Sequence, residues 1–522
     1  MTGSSSPTFV SYVAAILDVL SATPGRTVLT GADGREITAG ELCDNTYRLA
    51  RELTGRGFGP GTTVSLLTGD TPEALTARYA AHLAGARIVH LHEGMAAATL
   101  AHIADSVETT LLLVDPTRHR AAGELLPLPG APAVLSLGTS PFGEDVLAAA
   151  ARHELHPFAS PVGPGDDFGI RHSGGTTGVP KGIRTIHGPY RWRIGLPFAD
   201  AGDPPCYLAC TPLARFSGLL ADNALMQGGS VVLHLSFDPG AVLAAIARER
   251  ITHVWLLPTL LHQLLDHPAL ATTDLSSLTR ITYGGLPASA IRLRQAAEAF
   301  GPVLYGGYAQ SEAPAICEAA PHEHSITGHG GRITVGRPLP GVEVVIRDDA
   351  GETLPPGETG EIQVRAPSVM HGYWKQPQLT AEVLREGWLR TGDLGYLNES
   401  GYLFVVGRRK NEILVEDGIV HPAEVEELLL THPAIAQCTV VGIRDPDETE
   451  HIHAAVVPAP GHHPTLEEIR AFVTTRQGSM YAPTALHLLP ELPLTPAGKP
   501  DTELLRTTLA TDPRRESAAA SQ

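Results

Sequence analysis

The stretch Ser173-Gly174-Gly175-Thr176-Thr177-Gly178-Val179-Pro180-Lys181-Gly182 decides how this chain is read. Glycines flanking a threonine pair leave backbone N–H groups unhindered, the threonines add hydroxyls, and Lys181 adds a mobile cation. Those are the groups that wrap a polyphosphate. Pro180 removes a donor and stiffens the exit from the loop. The stretch lacks the Gly-Lys-Ser/Thr ending of a P-loop, because Lys181 follows a proline and precedes Gly182. Taken alone, a loop of this composition is more often a surface turn, so its meaning depends on its company.

Upstream, strand and helix signals alternate. Val64-Ser65-Leu66-Leu67 reads as a buried strand that breaks at Gly69-Asp70. Thr71 then caps a helix with Pro72 in its first turn. Leu75, Tyr79, Leu83 and Ala86 follow at helical spacing, and Ile88-Val89 opens the next strand, which makes a βαβ unit. A second unit starts at the cap Asp238 and Pro239 and runs into a strand from Ile251 to Leu257. Strands at Leu111 to Val114 and Val134 to Leu137 extend a parallel sheet, which places ligands at the carboxyl ends of its strands. The Gly/Thr loop follows the strand candidate Phe168-Gly169-Ile170. From Gly331 to Val406 the pattern turns to short alternating strands, and after Lys410 a small α+β unit begins, with Thr465-x-x-Glu468 as a capping box. The expected fold class is therefore α/β. A large N-terminal domain (1–409) of parallel-type sheets with helices and a small β subdomain precedes a small mobile α+β domain (410–510) and a disordered Ser/Ala-rich tail (511–522).

Composition narrows the partners. The chain has 522 residues and a net charge of −18, which argues against nucleic acid or an anionic membrane as the main partner. Cationic residues near the motifs then stand out as holders of a small anion. Five widely separated cysteines and the absence of His/Cys metal spacing fit a reducing, cytoplasmic setting better than a disulfide framework or a zinc site. No signal segment or spanning apolar run is seen.

The company of the loop is Tyr308-Ala309-Gln310-Ser311-Glu312, then Thr391-Gly392-Asp393, Gly407-Arg408-Arg409-Lys410, and Pro493-Leu494-Thr495-Pro496-Ala497-Gly498-Lys499. In this order the motifs resemble the adenylate-forming superfamily of acyl- and aryl-CoA ligases, peptide-synthetase adenylation domains and luciferases. The resemblance runs from about Thr38 to about Arg506. It implies ATP bound by Ser173, Gly175, Thr176, Thr177, Gly178, Lys181, Gly307, Tyr308 and Ser311. It further implies Mg2+ held by Glu312, ribose held by Asp393, and ribose or phosphate contacted by Arg408. Thr176, Glu312 and Lys499 become the catalytic set, with the Lys499 ammonium bridging the attacking acid and the α-phosphate. Lys410 takes the hinge position. The acid pocket is expected along Arg215, Ser217 and Gly218, along Tyr283-Gly284-Gly285, and at Gly306 beside Tyr308, where glycine pairs leave room for a flat aryl ring. Each residue has a plainer reading: a helix-start glutamate, a solvated basic cluster at Arg408 to Lys410, an exposed terminal lysine.

The chain departs from the family's pattern in places. Gly174 replaces a hydroxyl residue and Ala309 a glycine, both mild changes. Arg215 stands where many acyl-CoA ligases carry histidine, and suits a second anionic group on the substrate or a structural ion pair. Val415-Glu416-Asp417-Gly418-Ile419 replaces the glycine pair that flanks the pantetheine tunnel, and Asn411 replaces the usual acid after the hinge. These changes spare adenylation and strike at thiol transfer. The leading expectation is an ATP- and Mg2+-dependent, AMP-forming ligase of a small aryl acid, with CoA, a carrier-protein thiol or an arylamine as acceptor. A diazotase that activates nitrite and delivers it to an aromatic amine is an alternative within the superfamily. A non-catalytic nucleotide-binding scaffold is the alternative outside catalysis, and retention of Lys499 speaks against it.

Overall fold

The computed structural model describes residues 9–92, 95–172, 181–198, 202–286, 288–415, 418–444, 450–495 and 498–510. The βαβ unit forms as its sequence dictates. Strand Thr63–Leu67 is buried throughout, the Thr71 hydroxyl accepts from Ala74 N, and helix Pro72–Ala84 ends at Gly85 in the left-handed region. The next strand, Arg87–His90, pairs parallel with the first. The second unit repeats this logic, with the Asp238 carboxylate capping helix Pro239–Glu249 and strand His253–Leu256 following.

Two large sheets result. In one, Asp167–His172, Arg87–His90, Thr63–Leu67, Leu111–Val114 and Ala133–Ser136 run parallel; Gly182–Ile186 pairs antiparallel with Asp167–His172, and Gly372–Tyr373 pairs antiparallel with Gly182–Ile186 at the edge. In the other, Thr27–Thr30, Ser230–Leu233, Cys206–Ala209, His253–Leu256, Arg280–Gly284 and Leu304–Tyr308 run parallel, with Glu36–Thr38 and Cys317–Ala319 antiparallel beyond them. The sheets are thus of the expected parallel type at the centre, with antiparallel strands added at the edges.

One apolar core fills the space between the sheets. It joins Val64, Leu66 and Leu113 of one sheet to Leu29, Tyr207 and Val231 of the other through helices Tyr12–Ser21, Pro72–Ala84 and Phe216–Met226. Helices on the outer faces bury separate cores. The strands Glu343–Arg347, Gly360–Arg365, Trp388–Leu397 and Leu403–Arg408 form the expected β subdomain. A last unit packs helices Pro422–Leu429 and Leu466–Gln477 on strands Ile435–Arg444, Glu450–Pro458 and Ala485–Leu488. The Thr465 capping box is present, with Glu468 returning a carboxylate to Thr465 N at 2.8 Å. The division expected at Lys410 falls in the short helical turn Arg409–Asn411, just after the β subdomain. Among the described residues no helix is long and apolar enough to cross a membrane.

Candidate active site

The β subdomain builds one corner of the site. Antiparallel pairing of Trp388–Leu397 with Leu403–Arg408 sets Asp393 opposite Arg408, and the guanidinium Nε meets the carboxylate at 2.9 Å. Gly392, at φ +69°, supplies the backbone turn before Asp393 that other residues resist. The other carboxylate oxygen accepts from the Tyr308 hydroxyl at 2.7 Å and from Gln310 Nε2 at 2.5 Å. Gln310 also donates to the Thr391 carbonyl at 3.0 Å. Asp393 is buried, and its donors from both motifs fix its orientation. Burial, then the adjacent Asp393 charge, pushes the Tyr308 pKa up, so the phenol stays a neutral donor.

Tyr373 joins the next elements. Its hydroxyl donates to Glu312 Oε1 at 2.9 Å, while Lys181 Nζ lies 5.5 Å above its ring. Glu312 Oε2 receives no hydrogen bond among the described residues, which leaves a hard oxygen donor free for a divalent cation. Arg171 donates to the Ser311 carbonyl at 2.9 Å, and Met370 N donates to the Glu312 carbonyl at 2.8 Å. The strands Asp167–His172 and Gly182–Ile186 pair antiparallel, with His172 opposite Gly182, so Lys181 and the Glu312 motif share one end of this sheet. Ser173, Gly174, Gly175, Thr176, Thr177 and Gly178 lie outside the described residues, as do Glu416 and Asp417, and so does the Lys410 side chain.

Lys499 arrives from the small unit. The bridge between Leu494 and Pro500 closes its loop, with Thr495 N donating to the Lys499 carbonyl at 2.7 Å. Gly498 sits at φ +73°, and a Cβ there would stand 3.3 Å from Leu257 of the large domain, so the loop docks against it. The Lys499 side chain reaches solvent in the cleft while protein atoms crowd around it. That crowding, then Arg408 and Arg215, lowers its pKa, and Asp393 opposes them. Lys499, Arg408, Asp393 and Arg215 therefore share one electrostatic neighbourhood.

The expected acid pocket is partly open and partly filled. Arg215 is partly buried, with no carboxylate partner among the described residues, and burial lowers its pKa. Gly285, in the left-handed region, and Gly307 leave space beside the carboxyl end of the sheet. Other residues of the set are taken up in packing. The Ser217 hydroxyl is buried against Tyr207 at 2.8 Å, and a Cβ on Gly218 would stand 2.8 Å from the Arg78 guanidinium. Tyr283 donates toward His324 at 2.8 Å and occupies the space beside Gly306, while Gly284 faces the Gly307 carbonyl. The flat opening read from the glycines narrows to Gly285 and Gly307.

Comparison with known proteins fits this geometry. The profile of the AMP-binding enzyme family matches residues 18–374, and that of the AMP-binding enzyme C-terminal domain matches residues 424–499. The chain belongs to the AMP-binding enzyme family. Its class is that of AMP-forming ligases. It is 33% identical to the medium/long-chain-fatty-acid–CoA ligase FadD8 of Mycobacterium tuberculosis, over 96% of this chain and 90% of that protein. It is 34% identical to the feruloyl-CoA synthase of an Amycolatopsis species, over 89% and 92%. Among solved structures, the amide bond synthetase McbA from Marinactinospora thermotolerans is 38% identical, covers 95% of this chain and 99% of its own, and superposes with a TM-score of 0.87.

In this AMP-binding enzyme several site residues escape a motif-based reading. Tyr373 orients Glu312 from a segment remote in sequence, and the only local signal is the aromatic pair Tyr373-Trp374 after Gly372. Gln310 lies inside the Tyr308 motif, yet its reach to Asp393 appears only in three dimensions. His92 follows the strand Arg87–His90, and burial, then the charge of Arg215, lowers its pKa to about 4. It therefore presents a neutral imidazole beside Arg215 at neutral pH.

Proposed function

We propose that the enzyme uses ATP to adenylate a small aryl acid and passes the acyl group to an amine rather than to CoA. The observation that carries this reading is that Lys499 lies within electrostatic reach of Arg408, Asp393 and Arg215, where Arg408 and Asp393 pair. A carboxylate oxygen of the acid forms a bond to the α-phosphorus as the bond to the bridging oxygen breaks and pyrophosphate leaves. Lys499 offsets the charge that builds there. Asp393 and Arg408 hold the ribose, with Gly307 and Tyr308 beside the nucleotide. Ser173, Gly175, Thr176, Thr177, Gly178, Lys181 and Ser311 hold the phosphates. Mg2+ at Glu312 would neutralise phosphate charge. The amine nitrogen then attacks the acyl carbon, loses its proton, and AMP departs. Lys410 serves as the pivot that withdraws Lys499 between the steps.

Arg215 fits a second anionic group on the acid, because a partly buried guanidinium without an internal partner gains from a ligand that brings one. The amine acceptor is supported by similarity to an amide bond synthetase and by the acidic pair Glu416-Asp417 in place of the tunnel glycines. The test measures pyrophosphate release over a panel of aryl and fatty acids, with CoA or amines added, and identifies products by mass. Amide formed with an aryl acid, without acyl-CoA, is expected. Acyl-CoA formed as fast as amide would overturn the acceptor assignment. The same unpartnered Arg215 favours a second reading, in which nitrite is adenylated and Arg215 holds the carboxylate of an amino-aryl acid. Nitrite and ATP that yield no amine-dependent AMP would dismiss it.

A further inference from the structure

Behind the loop that carries Ser311 and Glu312 lies a small, partly open cavity with about 20 Å³ open to the centre of a water-sized sphere. A single water needs roughly 10–15 Å³ by that measure, so the space admits a small guest. Its polar lining comes from Arg171 on strand Asp167–His172, Thr185 on strand Gly182–Ile186, Tyr190 and Arg193 on helix His187–Ile194, and Ser368. Arg171 spends one nitrogen on the Ser311 carbonyl. The Arg193 guanidinium has no hydrogen-bond acceptor or ion-pair partner among the described residues, and its Nε is buried and unsatisfied. The Ser368 hydroxyl is buried and unsatisfied as well.

The nearby carboxylates are already committed. Asp222 takes Arg78, Tyr79 and the Tyr190 hydroxyl, Glu318 takes Arg280, and Glu312 takes Tyr373. Arg193 feels Glu318 only at a distance, and burial lowers its pKa to about 10, which still leaves it charged at neutral pH. Two guanidinium groups thus line one small space, and within it Arg193 Nε and the Ser368 hydroxyl are buried without partners. Buried donors and charges are ordinarily satisfied, and the cost of leaving them bare is several kcal/mol. A water would satisfy a donor but bring no charge.

We propose that this cavity binds a small monovalent inorganic anion, a halide or a planar oxyanion such as nitrite, on Arg193, Ser368 and Arg171. The bound anion would hold Arg171 in place and, through its bond to Ser311, steady the loop that presents Glu312. Neither Lys499 nor Arg215 lines the cavity, so the inference stands or falls independently of the acid and acceptor proposed above.

The direct test soaks crystals of the full chain, grown without halide, in bromide and records anomalous scattering at the bromine edge. A peak within hydrogen-bonding distance of Arg193 Nε and Ser368 Oγ is expected, and a later soak in nitrite should displace it if the oxyanion shares the site. Bromide found elsewhere, with water alone in the cavity, would overturn the proposal. In solution, chloride, bromide and nitrite should raise the unfolding midpoint saturably, by about 3 °C over gluconate at matched ionic strength. Arg193→Gln should abolish that increment and Ser368→Ala should weaken the anion about 10-fold. An increment unchanged in Arg193→Gln would count against the site. The bromide experiment on the unmodified protein decides the matter if Arg193→Gln does not fold.

Discussion

Arg78 and Arg215 stand close together in the fold and are treated in opposite ways. Arg78, on helix Pro72–Ala84, ion-pairs with Asp222 on helix Phe216–Met226, whose carboxylate also accepts from Tyr79 at 2.7 Å and Tyr190 at 2.5 Å. Arg215 stands just before the first turn of that second helix, without a side-chain cap, and has no anionic partner among the described residues. A charge buried to hold the fold arrives with its counter-charge and its hydrogen bonds. Arg215 reaches the cleft without either, which is why the proposed function gives it a ligand to hold.

The sharpest way to break this contrast is Asp222→Asn. Arg78 would then be buried without its anion, a loss of about 3–5 kcal/mol, a large share of the stability of an ordinary domain. Urea unfolding measures it, and a loss below 1 kcal/mol would mean that the pair is not what holds the helices together. Next in size is Lys499→Ala. Pyrophosphate release should fall about 100- to 1000-fold while nucleotide binding, followed by calorimetry, persists. Unchanged release would remove Lys499 from the chemistry.

Arg215→Leu tests the other side of the comparison. Removing a guanidinium that has no internal partner should leave stability within about 1 kcal/mol of the unmodified protein, unlike the change at Asp222. The KM for the acid should rise about 10- to 100-fold, the worth of hydrogen bonds to a charged group, with smaller change in kcat. A destabilised variant with unaltered KM would make Arg215 structural.

The local layers of this molecule were readable from its residues. Thr71-Pro72 and Asp238-Pro239 start helices where capping chemistry says they should, and Thr465 closes its capping box. Strand direction at the sheet edges was not readable, because Glu36–Thr38 and Cys317–Ala319 are set antiparallel by chain reversals that local periodicity does not encode. The same divide runs through the site. Asp393 and Arg408 stand out as motifs, yet their facing register depends on a bulged antiparallel pair. Ser217 and Gly218 look like pocket residues from their place after Arg215. The first turn of helix Phe216–Met226 instead turns Ser217 toward Tyr207 and presses Gly218 against the Leu213 carbonyl and Arg78. Tyr373 reaches Glu312 from a distant segment, which spacing alone does not reveal.

The smallest effect concerns the support of Arg215. Asp70 accepts from Leu213 N at 3.0 Å and so ties down the loop that leads to Arg215. Burial raises the Asp70 pKa to about 6, against the opposing pull of the Leu213 N–H, Arg118 and Arg78. The unfolded value is about 3.9, so the folded chain binds more protons between roughly pH 4 and 6. Stability contributed by this group therefore falls as pH rises through that window and levels off above it, by at most about 2–3 kcal/mol. Asp70→Asn keeps the acceptor for Leu213 and removes the charge. The variant should gain about 1–2 kcal/mol at pH 7.5, gain little or nothing at pH 4, and keep its KM for the acid. Urea midpoints at the two pH values decide it. Parallel shifts at both would show that the Asp70 charge is compensated in the fold, and that the loop behind Arg215 is held by packing instead.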